Sequence, residues 1–340
     1  MQWTLALAGL LVGFIVGLTG MGGGALTTPM LVLFFHVQPL AAVSSDLVAS
    51  FFMKPVGGFV HLRRGTVDLP LVKWLCVGSV PGAFAGVFVL RALGVGRNVQ
   101  NVVTTALGIA LVVAAAALVA KTYMTMRQRA RRRAAGLPNP DGASSPRVAV
   151  RPVPTILVGL IGGLIVGMTS VGSGSLIIVA LLILYPKLRS NELVGTDLVQ
   201  AIPLVASAAL AHILFGNFQL ALTASLLVGA IPGVFIGAQA SSRAPAGIVR
   251  RCLTVVLLAS GLKLLGVPNA YLLTAVIAAA VAAPLVWMAI RRSQGLPATA
   301  RAERGRELVS DPSRSPSDER SADAIANEPA SHPTGQAQPG

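Results

Sequence analysis

Charged side chains are scarce in this sequence. Asp, Glu, Lys and Arg together make up 11% of its 340 residues, whereas hydrophobic residues make up 54%. A soluble domain with this composition would have too little polar surface to cover its own core. The shortage of charge therefore excludes an ordinary soluble domain. It predicts an integral membrane protein whose main surroundings are the lipid bilayer.

Cysteine is equally rare, and catalytic motifs are missing. The only two cysteines, Cys76 and Cys252, both lie in apolar runs, which predicts buried thiols and no disulfide or metal framework. The sequence carries no Walker-type nucleotide motif and no nucleophile–base arrangement. We therefore predict that the chain is not an enzyme and has no cofactor. The formal charge of +15 comes from basic residues that cluster between apolar runs without aromatic neighbours, so nucleic acid is not an expected partner.

What the sequence does contain is a repeat. Residues near the start recur 150 positions later, and further along the offset becomes 151, so that Asp46 matches Asp197 and His61 matches His212. A nearly constant offset predicts two copies of one structural unit. The residues that recur at an offset of 150 are Gly13, Gly17, Thr19, Gly22, Gly24 and Leu26 in the first half, and Gly163, Gly167, Thr169, Gly172, Gly174 and Leu176 in the second.

Each unit begins with two apolar runs separated by glycines, at 3–19 and 25–35 in the first and at 154–169 and 175–185 in the second. None of these runs clearly reaches across a bilayer alone, which predicts a re-entrant hairpin or a broken helix. Three ordinary spans follow in each unit. They are predicted at 43–62, 67–90 and 98–120, and at 193–214, 218–240 and 248–266, with an unpaired helix at 270–290.

The predicted fold class is an all-α integral membrane protein with two homologous repeats, each a Gly-broken hairpin plus three transmembrane helices, and one extra C-terminal helix. The predicted segments are repeat 1 (1–121), a basic cytoplasmic linker (122–152), repeat 2 (153–267), the extra helix (268–290) and a disordered cytoplasmic tail (291–340). Basic residues favour the inner side, so we predict a multi-pass protein of the cytoplasmic membrane with linker and tail inside. The repeats are inverted if the hairpins return to their starting side, and parallel if each hairpin is a single crossing.

The glycine breaks predict a binding site. They place bare backbone at membrane depth, which is tolerated only where it packs in protein or lines a watery cavity. Freed amides and nearby hydroxyls could hold an anion there, whereas the alternative is that the glycines only allow close helix packing. The predicted substrate-binding residues are Thr19, Gly22, Gly23, Gly24, Lys54, Thr169, Ser170, Gly172, Ser173 and Gly174.

Lys54 lies near the middle of an apolar span, where an unpaired ammonium is costly. It either balances an anionic substrate or serves as a structural ion pair or snorkelling side chain. Val205 stands at the equivalent position of the second unit. Helix capping is the alternative for the two aspartates, and a structural role for the two histidines. The predicted proton-coupling or pathway residues are Asp46, Ser50, His61, Asp197, Gln200 and His212.

Several short motifs resemble the TauE/SafE sulfite exporter family over about residues 5–266. They are the Thr19–Gly24 element, the helix starts Ser44-Ser45-Asp46-Leu47 and Gly195-Thr196-Asp197-Leu198, Lys54, the stretch 61–68, and the pairs Pro81-Gly82 and Pro232-Gly233. The resemblance implies proton-coupled export of a small anion such as sulfite or a sulfonate. The alternatives are a passive anion channel and a non-catalytic membrane assembly subunit. The extra helix and long tail depart from the minimal family pattern and leave open a regulatory addition or a homo-oligomer.

Overall fold

The chain folds into helices that are packed side by side. The computed structural model describes residues 3–19, 23–63, 65–92, 97–134, 149–186, 188, 190–240, 246–274 and 277–278. Within these ranges the named elements are all helical. They are α1 (Trp3–Thr19), α2 (Gly24–Leu33), α3 (Pro39–Arg63), α4 (Leu69–Ala92), α5 (Arg97–Ala134), α6 (Pro152–Thr169), α7 (Leu176–Leu184), α8 (Ser190–Phe215), α9 (Leu220–Ala240) and α10 (Ala246–Leu264).

The all-α membrane class is confirmed. Five stretches are long and apolar enough to cross a bilayer, and they fall in α4, α5, α6, α8 and α9. The helices α1 and α2 are apolar but shorter. The helix α3 is not among the five, because its polar side chains lower its mean hydropathy.

The helix boundaries agree with the predicted spans except in α5. That helix runs on to Ala134, well beyond the predicted end at residue 120, because its Ala-rich and Arg-rich sequence favours helix. Residues 269–274 and 277–278 are helical, as predicted for the start of the extra helix. Gly22, residues 135–148, the rest of the extra helix and the tail lie outside the described residues.

Both Gly-broken pairs are hairpins that return to the side on which they start. In the first hairpin, Leu5 at the start of α1 packs in one apolar cluster with Leu31 and Phe35 at the end of α2. In the second, the Tyr185 hydroxyl after α7 lies 2.6 Å from Thr155 Oγ1 near the start of α6. The mouth of the first hairpin also borders a cavity of about 550 Å³. Its lining includes Phe35, His36, Val37, Gln38, Asn217 and Gln219.

Glycine faces join the two halves. Gly9, Gly13 and Gly17 of α1 lie successively against Leu226, Ala230 and Val234 of α9, so these two helices run in the same direction. Gly78, Gly82 and Gly86 of α4 lie in the same way against Ile156, Leu160 and Leu164 of α6. A Cβ atom built on Gly13 would be 2.4 Å from the Ala230 carbonyl oxygen. Small residues are therefore required where the backbones touch.

The centre of the protein is the pair α3 and α8, which run in opposite directions. Ser44 at the start of α3 contacts His212 near the end of α8. Gly58 near the end of α3 lies against Ile202, in the first half of α8. The helix α3 follows the first hairpin, and α8 follows the second. The pairing of α3 with α8 therefore brings polar residues of both units close to the two hairpin tips.

Candidate functional site

The tips of the two hairpins meet inside the protein. A Cβ atom built on Gly24, at the start of α2, would be 1.9 Å from the carbonyl oxygen of Ser170, at the end of α6. Only a glycine permits this approach. Gly23 precedes α2, and a Cβ there would be 3.5 Å from Ser50 Oγ. The glycine breaks of both units therefore lie beside α3.

The second tip, residues 170–174, contacts three buried charged side chains. Ser170 Oγ donates to Asp46 Oδ2, and Lys54 Nζ donates to Ser173 Oγ, both at 2.5 Å. The Gly174 amide donates to Asp197. The tip reaches all three because its backbone turns sharply: φ is +61° at Ser170, +134° at Gly172 and +92° at Gly174. Such angles favour glycine, which explains why glycines flank Ser173.

Lys54 lies between the two carboxylates in depth. It is eight positions beyond Asp46 on α3, about 12 Å at 1.5 Å per residue. Gly58, one turn further, lies against the carbonyl of Leu198, so Asp197 is level with the last part of α3. Lys54 is 6% exposed and interacts with both carboxylates, more strongly with Asp197. Its ammonium points into the protein, where it donates to Ser173.

The two carboxylates have different partners. Asp197 Oδ1 accepts from Gln200 Nε2, at 3.2 Å, and Gln200 Oε1 in turn accepts from Ser79 of α4, at 3.1 Å. Asp46 accepts from Ser170 and Thr28 at Oδ2, and Thr27 also interacts with the carboxylate, whereas Oδ1 has no hydrogen-bond partner among the described residues. Asp197 therefore belongs to a hydrogen-bond network that extends to α4, whereas the hydrogen bonds of Asp46 all end at one of its two carboxylate oxygens.

Three buried polar atoms have no hydrogen-bond partner among the described residues. They are Asp46 Oδ1, Ser45 Oγ and Ser50 Oγ, all on α3. Asp46 and Ser50 are four positions apart and therefore share a face, whereas Ser45 lies about 140° away from Ser50 around the helix. Buried polar atoms usually have partners, so an unpaired carboxylate oxygen and hydroxyl make this face of α3 a candidate binding surface.

The remaining predicted residues are engaged as follows. Thr19 and Thr169 donate to backbone carbonyls one turn earlier in their own helices, at 2.9 and 2.7 Å. His212 is fully buried, with Nε2 2.8 Å from the Gly167 carbonyl and Nδ1 2.8 Å from Ser44 Oγ. His61 is partly exposed and contacts Thr66 Oγ1 through Nδ1, at 2.9 Å. His212 therefore braces α8 against α6, while His61 lies at the far end of α3.

Sequence reasoning missed Thr27, Thr28 and Ser79 as members of this polar cluster. Thr28 contacts Asp46 directly, Thr27 donates to the Gly23 carbonyl and interacts with the same carboxylate, and Ser79 supports Gln200. The available signal was a pair of hydroxyl residues next to Pro29 in an otherwise apolar run. Among the described residues, no group of three or more His, Cys, Asp or Glu side chains could hold a metal ion.

Comparison with known proteins identifies the relatives of the chain. A family model described as "Sulfite exporter TauE/SafE" matches residues 5–264. The probable membrane transporter protein YjnA of Bacillus subtilis is 35% identical over 266 residues, which are 78% of this chain and all of the relative. The probable membrane transporter protein YdhB of the same organism is 23% identical over 255 residues, 75% of this chain and 96% of the relative. No solved structure matches.

Proposed function

Because this chain belongs to the TauE/SafE sulfite exporter family of membrane transporters, we propose that it is a secondary transporter of small oxyanions, such as sulfite or sulfonates. Transport is coupled to protons and works as export when the anion accumulates in the cell. The family resemblance drawn from the motifs is confirmed by the family match, whereas substrate, coupling and direction are proposals. We also propose that the protein lies in the cytoplasmic membrane with the central linker and the tail inside, as the basic residues favour.

The observation that carries this proposal is the position of Lys54. A buried ammonium between two re-entrant hairpin tips can exchange its protein partners for an anion, and its bond to Ser173 ties it to a tip that is free of regular structure. The first turn of α2 adds backbone amides that have no partner within the helix. Small oxyanions are recognised by this combination of an ammonium, hydroxyls and helix-start amides.

The arrangement of the helices supports alternating access. Both hairpins return to their starting side, α1 and α9 run in the same direction, and so do α4 and α6, while the equivalent helices α3 and α8 run in opposite directions. Equivalent helices that run oppositely are what an inverted repeat requires. We therefore propose that the two repeats are inverted and that their relative rocking exposes the central site to each side in turn.

The test is anion flux in proteoliposomes that contain the purified full-length chain. Sulfite, sulfoacetate, taurine and thiosulfate are offered with and without an imposed pH gradient. We expect uphill uptake of at least one anion under a pH gradient. Lys54→Ala should reduce that uptake by more than about tenfold, since a charge-assisted contact of about 1.5–3 kcal/mol is lost. Lys73→Ala is the matched control, because Lys73 is exposed on α4.

Each other outcome has a definite meaning. Flux that does not respond to the gradient would favour a passive anion channel. Flux that is the same in Lys54→Ala as in the wild type would remove Lys54 from the site. Absence of flux for all four anions would overturn the proposed substrate class and favour a membrane subunit that transports nothing alone.

A further inference from the structure

A cluster of buried polar atoms, called the pocket below, lies on the α2 side of Asp46. It consists of the start of α2, Ser50 Oγ and Asp46 Oδ1. A Cβ atom added to Gly23 would be 3.1 Å from Met53 Cε, 3.2 Å from Thr27 Oγ1 and 3.5 Å from Ser50 Oγ, so a bound molecule enters when the flexible end of the Met53 side chain moves aside. Ser50 is 2% exposed and Asp46 is 0% exposed, and these two atoms have no partner among the described residues. An unpaired buried hydroxyl beside a helix start is a place for an acceptor atom of a ligand.

The charges around the pocket decide what can enter it. Lys54 is attracted to both Asp197 and Asp46, and Asp197 also accepts from Gln200 and Gly174. One buried ammonium therefore serves two carboxylates. An ionised Asp46 would add a negative charge beside the pocket, at an oxygen that has no hydrogen-bond partner among the described residues. An anion bound there would lie beside a like charge in surroundings that exclude water, which is strongly unfavourable.

A proton on Asp46 removes this conflict. A protonated carboxyl carries no charge, and its O–H group is a hydrogen-bond donor. With the proton on Oδ1, the pocket would present the Asp46 O–H, the Ser50 O–H and the amides of the first turn of α2, which have no partner within the helix. The Thr28 and Ser170 hydroxyls already occupy Oδ2, so Oδ1 is the oxygen that is left for the proton.

We propose that one singly charged oxyanion and one proton bind this pocket together, with the proton on Asp46 and the anion held by Ser50, the start of α2 and Lys54, which lies one turn beyond Ser50 on the same face of α3. This inference rests on the proposed function and deepens it by assigning the sign of the coupling. Binding of the proton raises the affinity for the anion, and binding of the anion raises the affinity for the proton by the same factor. The protein is then a symporter that moves no net charge per cycle.

The other titratable and charged groups near Asp46 do not replace it in this role. Lys54 lies on its own helix, and Asp197 and His212 lie on α8. Lys121 of α5 interacts with Asp197. The described residues of α1, α2, α9 and the tip 170–174 carry no titratable side chain. His212 contacts neighbours through both ring nitrogens, and Asp197 has two further donors.

Symport has a consequence for export. An anion that accumulates inside leaves together with a proton, so an acidic medium opposes export and an alkaline medium favours it. An exchanger of protons for anions would show the reverse. The membrane potential should not affect the equilibrium, because the charges of the proton and the anion cancel.

The first test uses the wild-type chain in proteoliposomes with methanesulfonate, whose single charge does not change near neutral pH. The membrane potential is clamped at zero with potassium and valinomycin. With the outside about one pH unit more acidic, we expect about tenfold accumulation of methanesulfonate, the limit for one proton per anion. Accumulation under the opposite gradient, or under neither, would overturn the symport.

The second test measures methanesulfonate affinity as a function of pH in detergent. Over the range where empty Asp46 is ionised, wild-type affinity should rise about tenfold for each pH unit of acidification. Asp46→Asn should flatten this dependence, and Asp46→Glu should keep it. Asp68→Asn is the matched control, because Asp68 only caps the start of α4 through Leu71 and should keep the wild-type slope.

A third variant guards against a folding defect in Asp46→Asn. Ser50→Ala removes one proposed donor and should lower the affinity about tenfold at every pH without changing the slope. An unchanged affinity in Ser50→Ala, or a full slope in a well-folded Asp46→Asn, would overturn the pocket.

The two proposals can fail separately. Downhill methanesulfonate flux without any response to pH would leave anion transport standing and overturn the shared pocket. Absence of methanesulfonate flux while sulfite or thiosulfate moves would confine the proposed function to those anions and overturn the pocket as a general oxyanion site. Absence of flux for every anion would overturn both proposals.

Discussion

The two halves of the chain share one helix plan but supply different chemistry where they meet. Lys54 of the first half faces the site, whereas its equivalent in the second half, Val205, is 1% exposed in an apolar cluster. In return, the second half supplies the tip that contacts Lys54, Asp46 and Asp197. The predicted duplication accounts for the shared helix plan, and the departures from it lie at the candidate site.

The mouths of the two hairpins differ in the same way. Thr155 and Tyr185 join the ends of the second hairpin by a hydrogen bond, and the Tyr185 hydroxyl also accepts from the Arg151 amide at 2.8 Å. The equivalent residues of the first hairpin are Leu5 and Phe35, which border the open cavity. The mouth of the second hairpin is held by hydrogen bonds, whereas the mouth of the first is held by apolar contacts. Opening the first hairpin should therefore cost less free energy.

The largest expected effect tests whether the halves are equivalent where they pack. Gly13→Val and Gly163→Val should each destabilise the protein by at least about 3 kcal/mol, because the added atoms would overlap backbone. A Cβ at Gly163 would be 2.3 Å from the Ser79 carbonyl oxygen. Thermal unfolding in detergent measures the effect, with exposed Leu11→Val as control. Wild-type stability in only one of the two variants would break the equivalence of the two interfaces.

The second prediction moves the ammonium from one half to the other. Lys54→Val should abolish uphill anion uptake, and the double variant Lys54→Val with Val205→Lys should recover a measurable part of it. The physical reason is that residues 54 and 205 are at equivalent positions of α3 and α8, and the antiparallel contacts of Ser44 with His212 and of Gly58 with Ile202 put them near the same depth. Flux in proteoliposomes is the measurement. No recovery in a folded double variant would show that the ammonium must come from α3.

The third prediction separates the histidines. His212→Ala removes contacts to Gly167 and Ser44 and leaves both buried, so it should cost about 2 kcal/mol of stability. His61→Ala should cost less than about 1 kcal/mol, because His61 is partly exposed. Thermal unfolding measures the loss of stability in each of the two variants. Equal losses would contradict the assignment of His212 as the brace.

The fourth prediction concerns the hydrogen bonds at the mouth of the second hairpin. Tyr185→Phe keeps the ring but removes the hydroxyl that bonds Thr155 and Arg151, and it should lower stability by about 1 kcal/mol, or a few degrees in Tm. Phe35→Leu in the other hairpin is the control for a change of ring packing. A wild-type Tm in Tyr185→Phe would show that the bond does not hold the mouth closed.

The smallest perturbation tests orientation. Single cysteines at Val37, Gly65 and Gly216, in a background with Cys76→Ala and Cys252→Ala, are labelled in intact cells with an impermeant reagent. We expect positions 37 and 216 to label from outside and 65 only after permeabilisation. The cavity lined by both Val37 and Asn217 supports a common side for the first two. Reversal at any position would contradict the predicted topology.

Much of the fold could be predicted from the sequence, because few backbone structures satisfy all their hydrogen bonds within a lipid bilayer. Apolar runs set the helices, and the glycine breaks located both hairpin tips. The extension of α5 to Ala134 was missed, because a basic segment was read as linker although Ala and Arg favour helix. The packing partners of the individual helices could not be predicted from the sequence either. Gly13 has no partner until α9 is placed beside it.

The site was predicted in part. The helical periodicity of α3 put Asp46, Ser50 and Lys54 on one stripe, and the structure brings these residues to the hairpin tips. Periodicity within one helix does not tell what lies opposite. The contacts of Lys54 with Ser173 and of Asp46 with Thr28 depend on the packing of separate segments. For the same reason, the different engagement of Asp46 and Asp197 was invisible in a sequence that repeats both residues.

The packing of α1 against α9 also determines how long α1 remains without its partner during biosynthesis. Gly13 leaves the ribosome roughly 220 residues before Ala230, its contact in the folded protein. At about 5–20 residues per second, the first helix waits on the order of 10–40 seconds in the membrane with its glycine face uncovered. During that interval a second newborn chain, or a membrane-bound chaperone, can occupy this face. The N-terminal half should accordingly be a poor candidate for expression alone, and co-expression with the C-terminal half should rescue it.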